Sequence, residues 1–489
     1  MNDLPKGPSR LFRTLLALLV LWPALLPAAE DPRIAPEVWA AASRSASTDA
    51  RLPLWVEFKD KGLSASERQA VLTAMQTGWS AHTAWRRQRA AAPACDLDLP
   101  VYQLYVRRLI REGARIRYAS RWLNAVSLDA EAHRLNRLAN APEVRSVRLR
   151  AGYHPPEVEV EPSTTEHSGP RSSNAPALDY GPSAGQILQI KADKLHAKGL
   201  SGHGVVVCMI DTGFRRDHEA LSTRPVLAER DFIFRDGDTG NGTGDVATQW
   251  DHGTGTWAVL GGFAPGMLIG PAYGAEFLLA KTEDVRSETR VEEDNFVAAA
   301  EWADNHGADV ISTSLGYLSF DDGFSYAPDQ LDGATAVTTR AVNAATEVGI
   351  AVCVAAGNEG PAPSSLGTPA DAFNILTVGA VKSDKTIADF SSRGPTADGR
   401  IKPEVVAQGF RTYWANASAV GRYAYASGTS LATPLVGGGV ALLLESHPDW
   451  SPLQVREALI RTANRKNAPD NIYGFGLINL KKANRYRFR

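Results

Sequence analysis

The sequence predicts an α/β protein in which a doubly wound parallel sheet follows a small α+β domain. Between residues 205 and 380, five short apolar runs alternate with segments of helical periodicity, a pattern typical of parallel sheets. Further upstream, residues 54 to 149 alternate between strand and helix patterns, which predicts a separate α+β unit of ferredoxin-like type. A stretch rich in proline and serine lies between the two.

The first 29 residues are predicted to be a secretory signal peptide. Three basic residues precede an apolar stretch over residues 15 to 26, and two alanines end the segment at Ala29, where we expect cleavage. The apolar stretch is too short to span a bilayer comfortably, so we expect no membrane association after the signal has been removed. A protein exported in this way would be secreted or periplasmic.

Residues 30 to 150 are predicted to form the small domain. They contain, in order, a strand over 54–58, a helix over 64–91, strand-like alternation over 115–130, a short helix over 130–140 and a strand over 144–149. The segment holds 20 Lys and Arg against 13 Asp and Glu, whereas residues 186 to 489 hold 28 against 35. The resulting net charges of +7 and −7 predict that the two units attract each other.

Residues 151 to 185 are predicted to be a linker. Six prolines among serine, threonine and glutamate cannot supply a hydrophobic core, so an extended chain is expected here. We expect the chain to be cut within this segment.

Residues 186 to 489 are predicted to form the large domain. Strands are expected over 205–210, 276–281, 308–313, 350–356 and 375–380, and helices over 294–306, 334–348, 429–445 and 452–464. Apolar runs of this length without alternation indicate strands that are buried on both faces. Cys208 and Cys353 lie inside two of these runs, and with only Cys95 besides them the chain has too few cysteines for a disulfide framework.

Four short motifs place reactive side chains at the ends of these elements. Asp211 and Asn358 each follow a strand-like run, and His252 lies in a glycine-rich segment. Ser430 begins a long apolar helix, where free backbone N–H groups stabilise negative charge. A single serine before such a helix is usually only a cap, so the prediction depends on all four motifs together. Open α/β sheets hold their sites at the carboxyl ends of strands, and we therefore expect the four side chains to converge.

Together these residues resemble the subtilases, the subtilisin-like serine proteases, over about residues 190 to 483. The resemblance implies a subtilisin-like fold and an endopeptidase in which Ser430 is the nucleophile and His252 the general base. Asp211 would orient the imidazole, and Asn358 would bind the oxyanion together with the backbone N–H of Ser430. The small domain resembles a subtilase propeptide, which implies an autoprocessed zymogen inhibited by its own propeptide. A permanent regulatory domain is the alternative for that segment.

By the same resemblance, the substrate-binding residues are expected to be Ser314, Leu315, Gly316, Ala356, Gly357 and Gly367. The first three would offer an extended backbone edge to the substrate main chain. Residues 355 to 357, which include Ala355, would form the opposite wall of the primary pocket, and Gly367 would lie at its base. Small residues predict a roomy, mostly apolar pocket that prefers large uncharged side chains before the scissile bond. Glu359 is expected to stay solvated at the rim, because desolvating a lone carboxylate is costly.

Several departures from the family pattern bear on metal binding and on the site. Gly255 stands where the family usually has a second histidine, and Leu431 where it has methionine, but neither change removes a donor or base. Ala220 replaces a strong calcium ligand of the family. Residues 236 to 245 could hold a hard cation, but Ala247 stands where an EF-hand loop needs glutamate, so a solvated loop is expected. No metal ligand is assigned, no cofactor is required, and the pattern allows a structural calcium without indicating one.

Other functions fit parts of the sequence. A second Asp-Thr-Gly at residues 238 to 240 resembles an aspartic-protease loop, but no strand precedes it. An esterase of the α/β-hydrolase type would need Gly-x-Ser-x-Gly around its nucleophile, which Ser430 lacks. A catalytically silent, subtilase-like binding module stays open as a further alternative. We expect polypeptide substrates and a monomer, and the net charge of −2 gives no indication of nucleic-acid binding.

Overall fold

The computed structural model describes residues 31–44, 50–150, 159–161, 178–287, 291–321 and 323–488. The predicted signal peptide lies outside these residues, as does most of the predicted linker, so both assignments stay predictions. The described residues form two units, one built on a four-stranded sheet and the other on a seven-stranded sheet.

The first unit is an α+β domain with an antiparallel sheet. Its elements are α1 (Pro36–Arg44), β1 (Arg51–Phe58), α2 (Ala65–Gly78), α3 (Ala81–Arg89), α4 (Gln103–Arg111), β2 (Arg115–Ser120), β3 (Ala125–Glu131), α5 (Leu135–Ala139) and β4 (Val144–Leu149). The strand order is β2-β3-β1-β4, as expected for a ferredoxin-like unit. Along β1, Leu54 and Val56 pack in the domain's own core while Trp55 faces the second unit, which is the alternation of a strand with two covered faces.

One predicted helix is two helices in the structure. The helical pattern over residues 64 to 91 is interrupted because Trp79 and Ser80 have extended backbone angles. The Ser80 hydroxyl accepts the N–H of Thr83 at 3.0 Å and so caps the start of α3. Helices α1 and α4 were not predicted from the sequence.

The second unit alternates strands and helices. After the short strand β5 (Glu159–Glu161), its elements are α6 (Ala184–Ile190), α7 (Asp193–His196), β6 (Val206–Asp211), β7 (Val226–Asp231), α8 (Asp251–Gly261), β8 (Phe263–Ala264), β9 (Leu268–Ile269), β10 (Glu276–Lys281), α9 (Val291–Asn305), β11 (Val310–Thr313), α10 (Val337–Glu347), β12 (Ala351–Ala355), β13 (Leu376–Val381), β14 (Val405–Gln408), β15 (Thr412–Ala415), β16 (Tyr423–Ser427), α11 (Thr429–Ser446), α12 (Pro452–Thr462) and α13 (Leu480–Ala483). The large sheet is parallel throughout, in the order β14-β13-β12-β11-β6-β10-β7. The five predicted strands form its centre, and only the two edge strands were missed.

The second unit begins before the predicted boundary at Gln186. A 3-10 turn (Gly181–Ser183) precedes α6, and the buried side chain of Gln186 bonds both the N–H and the carbonyl of Tyr413, at 2.9 and 3.1 Å. The predicted linker also contributes β5, which pairs with β16. Part of the segment expected to be an extended linker therefore belongs to the fold.

Helix α11 lies in the core of the second unit. Its length and apolar composition would suffice to cross a membrane, but 89% of it is buried inside the protein, as expected for a core helix. Three successive glycines, Gly437, Gly438 and Gly439, let neighbouring elements approach closely: added Cβ atoms would lie 3.1 Å from Ser312 Oγ, 2.5 Å from Pro271 Cγ and 2.9 Å from Leu480 Cδ2. The close packing fixes the position of the helix and of its first turn.

The two units share one buried apolar cluster. Trp55, Trp122, Leu123 and Ala125 of the small domain are buried in the same cluster as Phe296 of α9. The small domain therefore packs on the large one through its sheet, in addition to any attraction between their charges.

Lys281 at the end of β10 is a buried cation on the strand next to β6. It lies in register with Asp211, and its Nζ contacts Asp231 at 2.9 Å and Asp245 at 2.7 Å. The loop over residues 236 to 245 is thus held to the sheet by an ammonium group of the protein itself.

Replacing Lys281 with alanine should destabilise the fold by roughly 3–5 kcal/mol, because Asp231 and Asp245 would stay buried without their cation. Urea unfolding followed by circular dichroism measures this, in a chain that also carries Ser430→Ala to remove the predicted nucleophile. Lys194→Ala is the control, since that ammonium is 52% exposed and its pair with Asp193 should contribute about 1 kcal/mol or less. Equal stability of the two variants would contradict the prediction.

Candidate active site

The carboxyl end of β6 and the first turn of α8 bring an aspartate and a histidine into contact. Asp211 is fully buried, and its Oδ1 lies 2.6 Å from Nδ1 of His252. Oδ1 also accepts the N–H of Thr212 at 2.8 Å, and Oδ2 accepts the hydroxyl of Thr256 at 2.9 Å. With both oxygens held, the carboxylate can keep the proton on Nδ1 and leave Nε2 free to act as a base. Sequence reasoning missed Thr256, although it lies one helical turn after His252 on the same face of α8.

Ser430 is the second residue of α11, and its backbone is supported in an unusual way. Pro434, one helical turn later, has no N–H, so the Ser430 carbonyl cannot make the usual helical hydrogen bond. The hydroxyl of Ser314 donates to that carbonyl at 2.8 Å instead. Ser314 was expected to bind substrate; in the structure its side chain supports the backbone of the predicted nucleophile.

Asn358 is oriented by Thr429. Its Oδ1 accepts the Thr429 N–H at 2.9 Å and the Thr429 hydroxyl at 3.0 Å. The opposite end of the amide, Nδ2, is buried and has no hydrogen-bond partner. Sequence reasoning did not find this role of Thr429, because it depends on a contact between residues 71 positions apart.

Gly428 leaves a small open volume next to two of these groups. A Cβ atom at this position would lie 2.7 Å from Ser430 Oγ and 3.6 Å from Asn358 Nδ2. Both atoms are buried without a partner, and so is His252 Nε2. Helix α8 packs against α11, but His252 Nε2 and Ser430 Oγ are not hydrogen-bonded to each other in this structure. The site thus offers an imidazole nitrogen that can take a proton, an unpaired hydroxyl, and an amide N–H that can bind a negatively charged oxygen.

Glu283 is a second buried carboxyl group close to Asp211 that sequence reasoning missed. It follows β10 and is 1% exposed, and its Oε1 accepts the hydroxyls of Thr282 at 2.8 Å and Tyr317 at 2.9 Å. Burial raises the pKa of Glu283 to about 8; the two hydrogen bonds oppose the increase and the charge of Asp211 adds to it. The group is therefore mostly protonated at neutral pH and adds little charge to the site.

A cavity of about 170 Å³ lies beside Thr429. It is lined by Ser314, Leu315, Gly316, Leu318, Ser319, Ala355, Gly357, Glu359, Gly367 and Thr429. Five of the six predicted substrate-binding residues are in this set. Ala356 is not, because successive residues of a strand face opposite ways, and its side chain packs in the hydrophobic core. Ala355 and Gly357, expected in the same wall, do line the cavity.

Glu359 lies exposed at the rim of the cavity, where a solvated carboxylate was expected. The hydroxyl of Ser392 donates to its Oε2 at 2.9 Å, and the Glu359 N–H donates to the same hydroxyl at 3.0 Å. The carboxylate is thereby held near the cavity while it keeps its contact with water.

Gly255 and Leu431, the two residues that depart from the family pattern next to the motifs, are both explained by packing in this structure. A Cβ at Gly255 would overlap the ring of Trp414, so the missing side chain lets β15 pack against α8. Leu431 is fully buried in the core of the second unit. Neither position contributes a polar group to the site.

The part of the chain that the structure describes contains no group of three or more His, Cys, Asp or Glu side chains that could hold a metal ion. In the loop over residues 236 to 245, Asp245 pairs with Lys281, and the carboxylates of Asp236 and Asp238 accept backbone N–H groups at 3.0 and 2.9 Å. These carboxylates are therefore bound to the protein itself, and no metal ligand is assigned.

Comparisons with known proteins agree with this site. The profile of the subtilase family matches residues 202–476, and that of the peptidase S8 propeptide domain of Bacteroidota matches residues 53–165. Serine protease AprX of Bacillus subtilis (strain 168) is 30% identical over 363 residues, which cover 66% of this chain and 78% of that protein. Subtilisin BL of Lederbergia lenta is 34% identical over 302 residues, which cover 61% of this chain and 97% of that protein.

A solved structure has a similar fold. It is fervidolysin from Fervidobacterium pennivorans, a keratinolytic enzyme related to subtilisin, with a TM-score of 0.62 and 21% identity over 90% of this chain. This chain spans 62% of fervidolysin's length, and at that identity the likeness concerns the fold alone. The predicted doubly wound, subtilisin-like fold is confirmed. Because the family profile matches more than half of the chain, the protein belongs to the subtilase family of serine endopeptidases.

Proposed function

We propose that the protein is exported, cuts its own chain during maturation, and then hydrolyses polypeptides with a preference for large uncharged residues before the scissile bond. One observation carries the catalytic part of the proposal: Ser430 Oγ, His252 Nε2 and Asn358 Nδ2 are all buried and all without a partner. Each is a group that acyl transfer requires, and the protein leaves all three available.

In the first half of the reaction, Ser430 Oγ attacks the carbonyl carbon of the peptide bond while His252 Nε2 takes its proton. The imidazolium carries its other proton on Nδ1, 2.6 Å from Asp211, whose charge stabilises it. His252 then gives the first proton to the leaving amine as the C–N bond breaks. In the second half, a water molecule attacks the acyl group with His252 again as base, and Ser430 is released.

The tetrahedral intermediate needs donors for its negative oxygen. Asn358 Nδ2 is one, and its direction is set by the bonds from Thr429 to the opposite end of the amide. The backbone N–H of Ser430 is the other, since the first turn of a helix has no internal acceptor for it. The positive end of the α11 dipole acts in the same direction.

Substrate preference follows from the cavity beside Thr429. Ala355, Gly357 and Gly367 give it small walls, and a volume of about 170 Å³ suits a large apolar side chain. The edge formed by residues 314 to 316 would pair with the substrate main chain, which is insensitive to most side chains. The exposed carboxylate of Glu359 adds a weaker attraction for Lys or Arg at the rim.

Further parts of the proposal concern export and maturation. Residues 1 to 29 would direct the protein out of the cytoplasm, as a secreted or periplasmic enzyme, and the cut would fall within residues 151 to 185. The enzyme would act as a monomer without a cofactor. Its partners would be polypeptide substrates and its own propeptide, the domain that precedes the cut.

Ser430→Ala should leave the precursor uncut after removal of the signal, because the first bond that the enzyme cuts is in its own chain. Intact mass and N-terminal sequencing, in a host without other exported proteases, measure the outcome. Ser446→Ala, at the far end of α11, is the matched control and should mature normally. Maturation of the Ser430→Ala chain in that host would remove Ser430 from the mechanism.

Gly428→Ala should lower kcat/KM by about 10²–10³-fold, the range established in a subtilisin for losing one oxyanion donor. The added methyl group would fill the volume between Ser430 Oγ and Asn358 Nδ2. Gly237→Ala is the control, because an added Cβ there meets nothing within 4 Å. If Gly428→Ala and the control have equal kcat/KM on a peptide substrate, the carbonyl oxygen does not bind in this volume.

Cleavage of a peptide library should occur mainly after Leu, Phe and Tyr. Glu359→Gln should reduce only the minor cleavage after Lys and Arg, since the exposed carboxylate attracts those charges without shaping the cavity. Mass spectrometry of the cleaved library gives both answers. Cleavage confined to Lys and Arg would show that the acidic rim, and not the apolar cavity, selects the substrate.

A further inference from the structure

The catalytic unit has a second buried polar site, at the edge of the sheet opposite the active site. Asp309, directly before β11, is fully buried, and its Oδ2 accepts the N–H of Val206 at the start of β6 at 3.0 Å. Asp211 lies at the other end of β6, roughly 16 Å away at about 3.3 Å per residue. The two sites are therefore separated by the length of the strand.

Helix α3 of the small domain covers this edge. Arg89 donates to Asp309 Oδ1 at 2.7 Å, and His82 Nε2 lies 2.9 Å from Asp309 Oδ2. Arg86 pairs with Asp304 at the end of α9. One helix of nine residues thus brings three basic side chains to two carboxylates of the catalytic unit.

The backbone beneath α3 lacks side chains where the helix comes closest. Gly349 has a φ of +86°, and a Cβ there would lie 2.6 Å from Ala90 Cβ. A Cβ at Gly307 would lie 3.3 Å from Cδ2 of His82. Arg86 donates to the backbone carbonyl of Ala308, the residue between Gly307 and Asp309, at 3.0 Å. The surface fits the helix in shape as well as in charge.

The ion pairs under α3 are withdrawn from water. Arg86 is fully buried, and the side chains of Arg87 and Arg89 are 2% exposed. Burial by itself would raise the pKa of Asp304, but the charges of Arg86, Arg87 and Arg121 outweigh it and lower the pKa. Asp304 is therefore bound as a carboxylate.

The other contact between the units uses mostly different residues. Glu301 accepts the hydroxyls of Tyr118 and Ser120 at 2.7 and 2.5 Å, and Asp294 accepts from Arg150 at 3.0 Å. These partners lie on or next to the small sheet, whereas α3 precedes that sheet's second strand. Arg121, next to the small sheet, also donates to Asp304 Oδ2 at 2.7 Å, so Asp304 belongs to both contacts. Asp309 pairs instead with Arg89 and His82 of α3. Substitutions at Arg86, Arg89 or Asp309 therefore weaken the α3 contact while the bonds to Glu301 and Asp294 remain.

We propose that the α3 cleft, formed by Asp304, Gly307, Asp309 and Gly349, is a second binding site of the catalytic unit that recognises a short arginine-rich helix and is occupied here by α3. Because Asp309 is held by Val206, the cleft does not need α3 to take its shape. Its occupation keeps the small domain attached after the chain between the units is cut. This last consequence rests on the self-cleavage proposed above; the binding site itself does not.

The test uses the full chain with Ser430→Ala and a recognition site for an added protease between residues 171 and 177, so that cutting does not depend on the enzyme's own activity. After the cut, dissociation of the small domain is followed by surface plasmon resonance on the immobilised catalytic unit. Arg86→Gln with Arg89→Gln should raise the dissociation rate constant at least about 30-fold, the cost of truncating buried charge partners. A saturating peptide substrate, which this chain cannot cut, should leave the rate unchanged.

Arg107→Gln with Arg111→Gln is the control, because it removes the same charge from exposed positions of α4. Circular dichroism checks that all small domains keep their helix content. Asp309→Asn should also speed release, and it cannot do so by unfolding α3; Asp309 is chosen because Asp304 is also bound by Arg121, outside α3. Release at the control's rate from both the Arg86/Arg89 variant and the Asp309 variant would overturn the proposal, and so would complete release by the peptide substrate. A failure of the Ser430→Ala maturation test would leave this result unaffected.

Discussion

The first turn of α11 positions most of the chemical groups that the reaction needs. It carries Ser430, and through Thr429 it also sets the direction of the Asn358 amide. Pro434, one helical turn later, deprives the Ser430 carbonyl of its helical partner. Ser314, just beyond β11, replaces that partner. The proposed nucleophile and the proposed oxyanion donor thus depend on one helical turn that is fixed to the parallel sheet by hydrogen bonds and by the tight packing of α11.

The two edges of the parallel sheet have different tasks. The carboxyl ends of β6 and β12 lead to Asp211 and Asn358, where polar atoms are left unpaired and available to substrate. At the amino ends, Asp309 and Asp304 are buried, and both accept hydrogen bonds from the small domain. Buried polar and charged groups are costly when they have no partner. At the carboxyl edge the unpaired groups favour binding of substrate, and at the amino edge the carboxyl groups favour binding of the small domain. The catalytic unit can therefore bind its propeptide through this amino edge in addition to the active site.

Much of the fold could be predicted because its signals are local. Apolar runs located the five central strands. The order of four motifs predicted the site residues, of which the structure brings Asp211 into contact with His252, and Asn358 into contact with Thr429 beside Ser430. Of the two edge strands, β7 was missed because it is mostly half-buried or exposed and less apolar than the central strands. Strand β14 is buried throughout but is only four residues long. The break between α2 and α3 depends on one serine cap within a pattern that is otherwise helical. Glu283 could not be found because its burial comes from contacts between distant segments. Ala356 was expected in the pocket wall together with Ala355, but only Ala355 lines the cavity, because successive residues of a strand face opposite ways.

Labelling with a fluorophosphonate tests the central claim most directly, because the reagent reacts with a serine whose proton is removed by a neighbouring base and whose adduct oxygen is held by an oxyanion site. Peptide mapping of the processed protein by mass spectrometry should find one adduct per chain, on Ser430, and none in a His252→Ala chain released by an added protease. Absence of an adduct from the processed wild-type protein would indicate a silent binding module, and an adduct on another serine would contradict the assignment of Ser430.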